Sequence, residues 1–166
     1  TIAIIGYSGS GKTTVSEWIA NYLDMPCTDT DDKVLEHLGM STVQSVWDEE
    51  GEARWREAEA EIIPALLQED AVVSLAGVSP MSESVKDALK NVPMVIHCIA
   101  DEETTLARIA KCEDRPRLHA DELQVRSERL ETYGSLATHE LDSNGDFASA
   151  IPRIQALLTD LDSNRE

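Results

Sequence analysis

The run Gly6-Tyr7-Ser8-Gly9-Ser10-Gly11-Lys12-Thr13 fits the pattern G-x-x-x-x-G-K-[ST] without exception. Each of its residue types has a task. Glycines let successive backbone N–H groups converge on phosphate oxygens, and a helix starting inside the motif adds the positive end of its dipole. Lys12 is placed to reach the β- and γ-phosphates as a point charge, and the Thr13 hydroxyl to ligate Mg²⁺. An ordinary glycine-rich turn has no need of Lys and Thr at those positions. The motif therefore predicts a nucleoside triphosphate site built from Gly9, Ser10, Gly11, Lys12, Thr13 and Thr14, with Lys12 also acting in the chemistry.

Other residues could act on the same triphosphate. Asp29 and Asp31 follow a short apolar run, Gly77 follows another, and Arg108 and Arg115 follow a third. One aspartate can hold the Mg²⁺ shell while a second orients or deprotonates an attacking hydroxyl. Arginines in a closing segment can supply positive charge to the transferring phosphoryl group. The aspartates have a structural use too, since Asp31 or Asp32 is expected to cap a helix. On residue type and spacing alone, Arg108 and Arg129 read as solvated positions on ordinary helices.

The elements that position these groups can be read from periodicity. Residues 1–5 form a β-branched run ahead of the glycine loop, and Val15, Ile19 and Leu23 recur at helical spacing after it. A second strand is expected at 25–28. Next come a short helix through Val34, Leu35 and Leu38 that stops at Gly39, and another capped by Ser41 that stops at Gly51. A longer helix with Trp55, Ile62, Ile63, Leu66 and Leu67 inward contains Pro64, which predicts a kink or break. Strands at 71–75 and 94–99 flank a weakly patterned helix at 82–90. Asp101 should cap a helix burying Leu106 and Ile109, ahead of a charge-dense stretch, 111–122, that reads as a surface lid. A helix with Leu123, Leu130, Tyr133 and Leu136 follows, then a brief strand near Glu140, a turn at 142–145, and a last helix with Ser149 as its cap. Alternating strands and helices predict a doubly wound α/β sheet, and in such sheets ligands lie beyond the carboxyl ends of the strands. All the candidate loops open on that edge.

Composition narrows the class. The 166 residues are one domain by size, with 14 basic and 32 acidic side chains and a formal net charge of −18. Nucleic acid and anionic membranes are repelled by such a chain, so neither is expected as a partner. Cys27, Cys98 and Cys112 show no metal or disulfide spacing, and Cys27 and Cys98 read as buried thiols. His97 reads as a packed core histidine. No signal peptide or membrane-length apolar run is seen, so a reducing compartment is expected and the location is read as cytoplasmic. The chain begins with Thr1, as one trimmed of its first residues would.

Taken together the motifs resemble the shikimate kinases, small P-loop enzymes of the nucleoside monophosphate kinase group. The resemblance rests on the glycine loop, Asp29-Thr30-Asp31, Gly39-Met40-Ser41, Gly51-Glu52 with Trp55-Arg56 and Glu59, Arg115-Pro116, and Arg129 with Tyr133 and Ala137. It implies a three-layer, parallel, five-stranded sheet of order 2-3-1-4-5 in one kinase domain, 1–166, with a substrate flap at about 30–60. It implies ATP with Mg²⁺, and phosphorylation of the shikimate 3-hydroxyl on the route to aromatic amino acids. Asp29 would join the Mg²⁺ shell through water, and Asp31 would bind substrate hydroxyls and assist proton removal. Arg56 and Arg129 would grip the substrate carboxylate and Gly77 would lie against the substrate. Arg115 would reach over the triphosphate and Arg108 would lie against adenine. A monomer is expected.

The chain departs from that pattern at Ala76-Gly77-Val78, where the family has three glycines. Either the valine crowds the pocket or it is turned away. Glu131 replaces the family's proline beyond Arg129, a mildly unfavourable charge near a carboxylate site, and the lid reads Arg-Pro-Arg-Leu. Two alternatives stay open: a kinase for another small hydroxy acid such as gluconate, and a nucleotide-binding relative without catalysis.

Overall fold

The computed structural model describes residues 1–111 and 122–163. Strands β1 (Ile2–Ile5), β2 (Cys27–Asp29), β3 (Val72–Ser74), β4 (Met94–Ile99) and β5 (His139–Asp142) form one parallel sheet in the order β2-β3-β1-β4-β5. The described helices are α1 (Lys12–Leu23), α2 (Thr30–Leu38), α3 (Val43–Glu49), α4 (Glu52–Leu66), α5 (Glu83–Leu89), α6 (Glu102–Ala110), α7 (Glu122–Leu136) and α8 (Phe147–Ser163). The order is the one the resemblance implies.

Helices cover both faces of the sheet, which is why β1 is apolar at every position rather than at alternate ones. Ile2 and Ile4 pack with Val15 and Ile19 of α1 and Ile154 of α8. Ala3 and Ile5 pack on the other face with Ile63 of α4, Leu89 of α5 and Tyr133 of α7. A third cluster, Val34, Val46, Trp55 and Ala58, joins α2, α3 and α4 beside the sheet. Register then places the site: Ser74 pairs with both Ile4 and Asp29, so the loops after β1, β2 and β3 leave the sheet side by side.

Several expectations are corrected. Cys27 is exposed, because β2 is an edge strand whose middle residue alone, Thr28, turns inward. Leu106 is exposed and Thr105 is buried, so α6 is rotated one residue from the expected face; Ile109 packs against the core as expected. Thr42, not Ser41, caps α3, and its hydroxyl accepts the Ser45 N–H at 3.1 Å. Asp29, not Asp31 or Asp32, caps α2 by accepting the Asp31 N–H. Asp146 rather than Ser149 accepts the N–H bond at the start of α8. Pro64 does not break α4, which continues to Leu66. A proline there leaves the Ala60 carbonyl without its helical donor, and the Ser84 hydroxyl donates to it at 3.4 Å. Among the described residues no helix is long and apolar enough to cross a membrane.

Candidate active site

The glycine loop is held tightly from below. Gly9 and Gly11 sit at φ +81° and +88°, and a Cβ on Gly9 would come within 2.6 Å of the Thr105 carbonyl oxygen. Only glycine fits there. Helix α1 begins at Lys12 with Gly11 at its cap position, no side-chain cap and no acidic residue in its first turn. Its N–H groups therefore face the loop uncovered by side chains, as an anion site needs. Lys12 is buried, and its Nζ donates to the Tyr7 carbonyl at 3.0 Å. Gly9, Gly11, Lys12, Thr13, Thr14 and Arg108 line one hollow. The Arg108 guanidinium braces it, donating to the carbonyls of Gly9 at 3.1 Å, Ser143 at 2.7 Å and Gly145 at 3.1 Å. Ser10 is buried and does not line the hollow: its N–H donates to the Tyr7 carbonyl at 3.1 Å and its carbonyl accepts the Ser143 hydroxyl at 2.6 Å.

A second crevice adjoins the first through Lys12 and Thr13. Asp29, Asp31, Arg56, Gly77 and Arg129 all line it. Arg56 comes from α4, where its Nη1 donates to Glu59 Oε2 at 2.9 Å and its guanidinium lies 6.0 Å from the Trp47 ring centre. Arg129 is buried on α7 with its guanidinium 5.6 Å from the Tyr7 ring centre. Tyr133, one turn on, donates its hydroxyl to the Gly77 carbonyl and so ties α7 to the loop after β3. Burial pushes that phenol's pKa up, so it stays a donor. Arg115, and the expected lid apart from its two end residues, lie outside the described residues.

The two departures noted in the sequence now have positions. Val78 and Ala76 both line the crevice. The Ala76 N–H is already taken by the Thr30 hydroxyl at 3.1 Å, and is engaged within the protein. Glu131 is exposed and does not line the crevice. Val78→Gly should leave the acid substrate's KM unchanged or lower it by up to about tenfold, the scale of a small apolar contact. Steady-state kinetics checks this, and a loss of more than tenfold would show a wall fitted around the valine.

Glu59 is the residue that charge and spacing did not single out. It is buried, and its Oε1 accepts from Trp55 Nε1 at 3.0 Å and from the Ser79 hydroxyl at 2.9 Å. With Oε2 on Arg56, this carboxylate fixes the arginine's direction from beneath. A glutamate on the apolar stripe of α4, one turn after Trp55, was the available signal. Trp47, Trp55, Val43, Ser8 and Ser74 complete the walls.

His97 packs under Tyr133 with ring centres 5.2 Å apart, and neither ring nitrogen has a partner among the described residues. Burial first, and Lys12 second, bring its pKa from 6.5 down to about 4. The neutral imidazole thus belongs to the folded state, whereas the unfolded chain takes up a proton near pH 6.5. His97 favours folding fully above that pH, and the contribution is lost as pH falls toward 4. At roughly 1.4 kcal/mol per pH unit the loss comes to about 3 kcal/mol. The stability of the protein should therefore drop relative to His97→Phe across this window in denaturant titrations. Parallel curves would mean that the ring is protonated, or partnered, in the fold.

The shikimate kinase family profile matches residues 8–158. The shikimate kinase of Enterococcus faecalis is 33% identical over 117 residues, 70% of this chain and 69% of that protein. A structure of Acinetobacter baumannii shikimate kinase in complex with shikimate superposes with a TM-score of 0.84 at 24% identity, over 98% of this chain and 93% of that one. A gluconokinase from Sinorhizobium meliloti superposes at 0.56 with 21% identity, over 99% and 94%.

Proposed function

Since the chain belongs to the shikimate kinase family, we propose that it transfers the γ-phosphoryl group of ATP to the 3-hydroxyl of shikimate. One observation carries the reading: Lys12, Thr13, Asp29, Asp31, Arg56 and Arg129 line a single crevice, with the phosphate hollow opening beside it. Arg56 and Arg129 offer planar guanidinium forks that match a carboxylate bidentately. They come from different helices, so together they fix a bound acid in orientation as well as in place. Asp31, half-buried on the same wall, would accept the hydroxyl proton as the oxygen attacks. Lys12 would leave the Tyr7 carbonyl for the phosphates. Arg115 would add charge from the lid side, and residues 30–60 would close on the acid.

The donors suit Mg²⁺: a Thr13 hydroxyl and an Asp29 carboxylate are hard oxygen ligands in the same crevice. Magnesium takes few protein ligands and completes its shell with water and phosphate. The ion would neutralise charge on the phosphates. The protein is read as cytoplasmic and monomeric.

ADP release, measured in a coupled assay with shikimate, gluconate or no acid, tests the proposal. Release that depends on shikimate and exceeds that with gluconate is expected. A preference for gluconate would favour a sugar-acid kinase with a changed pocket. Triphosphate binding without acid-dependent release would favour the non-catalytic reading.

A further inference from the structure

The Tyr7 residue meets three basic side chains of this site. Its carbonyl accepts Lys12 Nζ, and its ring carries the Arg129 guanidinium at 5.6 Å and the Arg126 guanidinium at 5.0 Å. Arg126 is not on the crevice wall. It lies one turn before Arg129 on α7, where Nη1 donates to the Thr105 hydroxyl at 2.7 Å and Nη2 to the Ala100 carbonyl at 2.6 Å. Those partners sit on α6 and at the carboxyl end of β4, so one planar fork ties α7 to both. Two arginines three residues apart on a helix repel each other. Their proximity needs compensation, which the Tyr7 π face and two oxygen acceptors supply.

We propose that Arg126 is a positioning residue for the carboxylate grip. By pinning α7 to β4 and α6 and clamping the Tyr7 ring, it fixes the surface against which Arg129 lies, and so aims Arg129 into the crevice. The proposal rests on the reading of Arg129 as that grip. Arg126 touches no substrate and acts only through Tyr7 and Arg129. A lysine cannot replace it, since a single ammonium does not reproduce a fork that also stacks on a ring.

Steady-state kinetics of Arg126→Ala, Arg126→Lys and Thr105→Val, each with its melting temperature, tests this. Arg126→Ala should raise the shikimate KM about tenfold and leave the ATP KM within about twofold. Arg126→Lys should behave much like Arg126→Ala. Thr105→Val removes one acceptor, keeps the arginine, and should raise the shikimate KM about threefold should the alanine variant fail to fold. In an Arg129→Ala background, Arg126→Ala should add nothing to the shikimate KM. A further rise there, an equal rise in both KM values, or no change in either would overturn the proposal. Should the wild type show no turnover with shikimate, the functional reading alone fails. Crystal structures of Thr105→Val and Arg126→Ala then decide the positioning role: Arg129 displaced from the Tyr7 ring supports it, and Arg129 still on the ring overturns it.

Discussion

Lys12→Ala should lower kcat by at least about a thousandfold while the fold survives, because a charge aimed at the transferring phosphoryl group is lost. Among the described residues the other cations of the hollow and the crevice are engaged elsewhere. Arg108 is bonded to three carbonyls, Arg56 to Glu59, and Arg129 lies against Tyr7. Stability should change little. The bond from Lys12 to the Tyr7 carbonyl that the variant loses is worth about 1 kcal/mol. Single-turnover rates with a parallel melting curve check the prediction. A near-normal rate in a folded variant would discredit the phosphate assignment. The same variant should also be less acid-labile, since the Lys12 charge is one of the two causes that depress the His97 pKa.

The glycine loop was legible because its chemistry is local. Positive φ at Gly9 and Gly11 and the start of a helix at Lys12 are demands that a few adjacent residues must meet together. The core strands were legible for a similar reason, since burial on both faces leaves a continuous apolar run. The errors have a common physical origin. Periodicity gives the width of a helix's apolar face but resolves its rotation poorly, so Leu106 was placed inward where Thr105 belongs. Neighbouring hydroxyl and carboxylate residues compete for a cap on equal terms, so Ser41 lost to Thr42 and Asp31 to Asp29. Edge position is a property of the whole sheet, which is why Cys27 looked buried.

Site residues divide in the same way. Asp29, Asp31 and Gly77 follow strands, and the rule for the carboxyl ends of parallel strands placed them. Arg56 and Arg129 were named through resemblance, and the fold brings both to the wall that Lys12 shares. Glu59 was quoted only as part of the resemblance and Tyr7 only as part of the glycine loop; the support they give these arginines includes contacts across the chain. Glu59 meets Ser79 from another element, and Tyr7 meets α7 from the opposite end of the sequence.

Arg129→Ala should raise the shikimate KM roughly thirty- to a hundredfold and leave the ATP KM within a few-fold, the signature of a lost charge-assisted clamp on one substrate. Arg129 is the cleaner of the two arginines to remove. Arg56→Ala would strand the buried Glu59 carboxylate with only its Trp55 and Ser79 donors, and breaking a buried pair costs about 3–5 kcal/mol of stability. A loss of affinity in that variant could reflect a disturbed α4. Among the described residues no carboxylate is paired with Arg129: its ring neighbour is Tyr7, and Tyr133, which it also bonds, keeps its own bond to the Gly77 carbonyl when the arginine is gone. Its removal should therefore be felt by the bound acid and hardly at all by the fold. Equal increases in both KM values, or a fall in melting temperature matching that of Arg56→Ala, would make Arg129 a structural residue and leave the carboxylate without its second anchor.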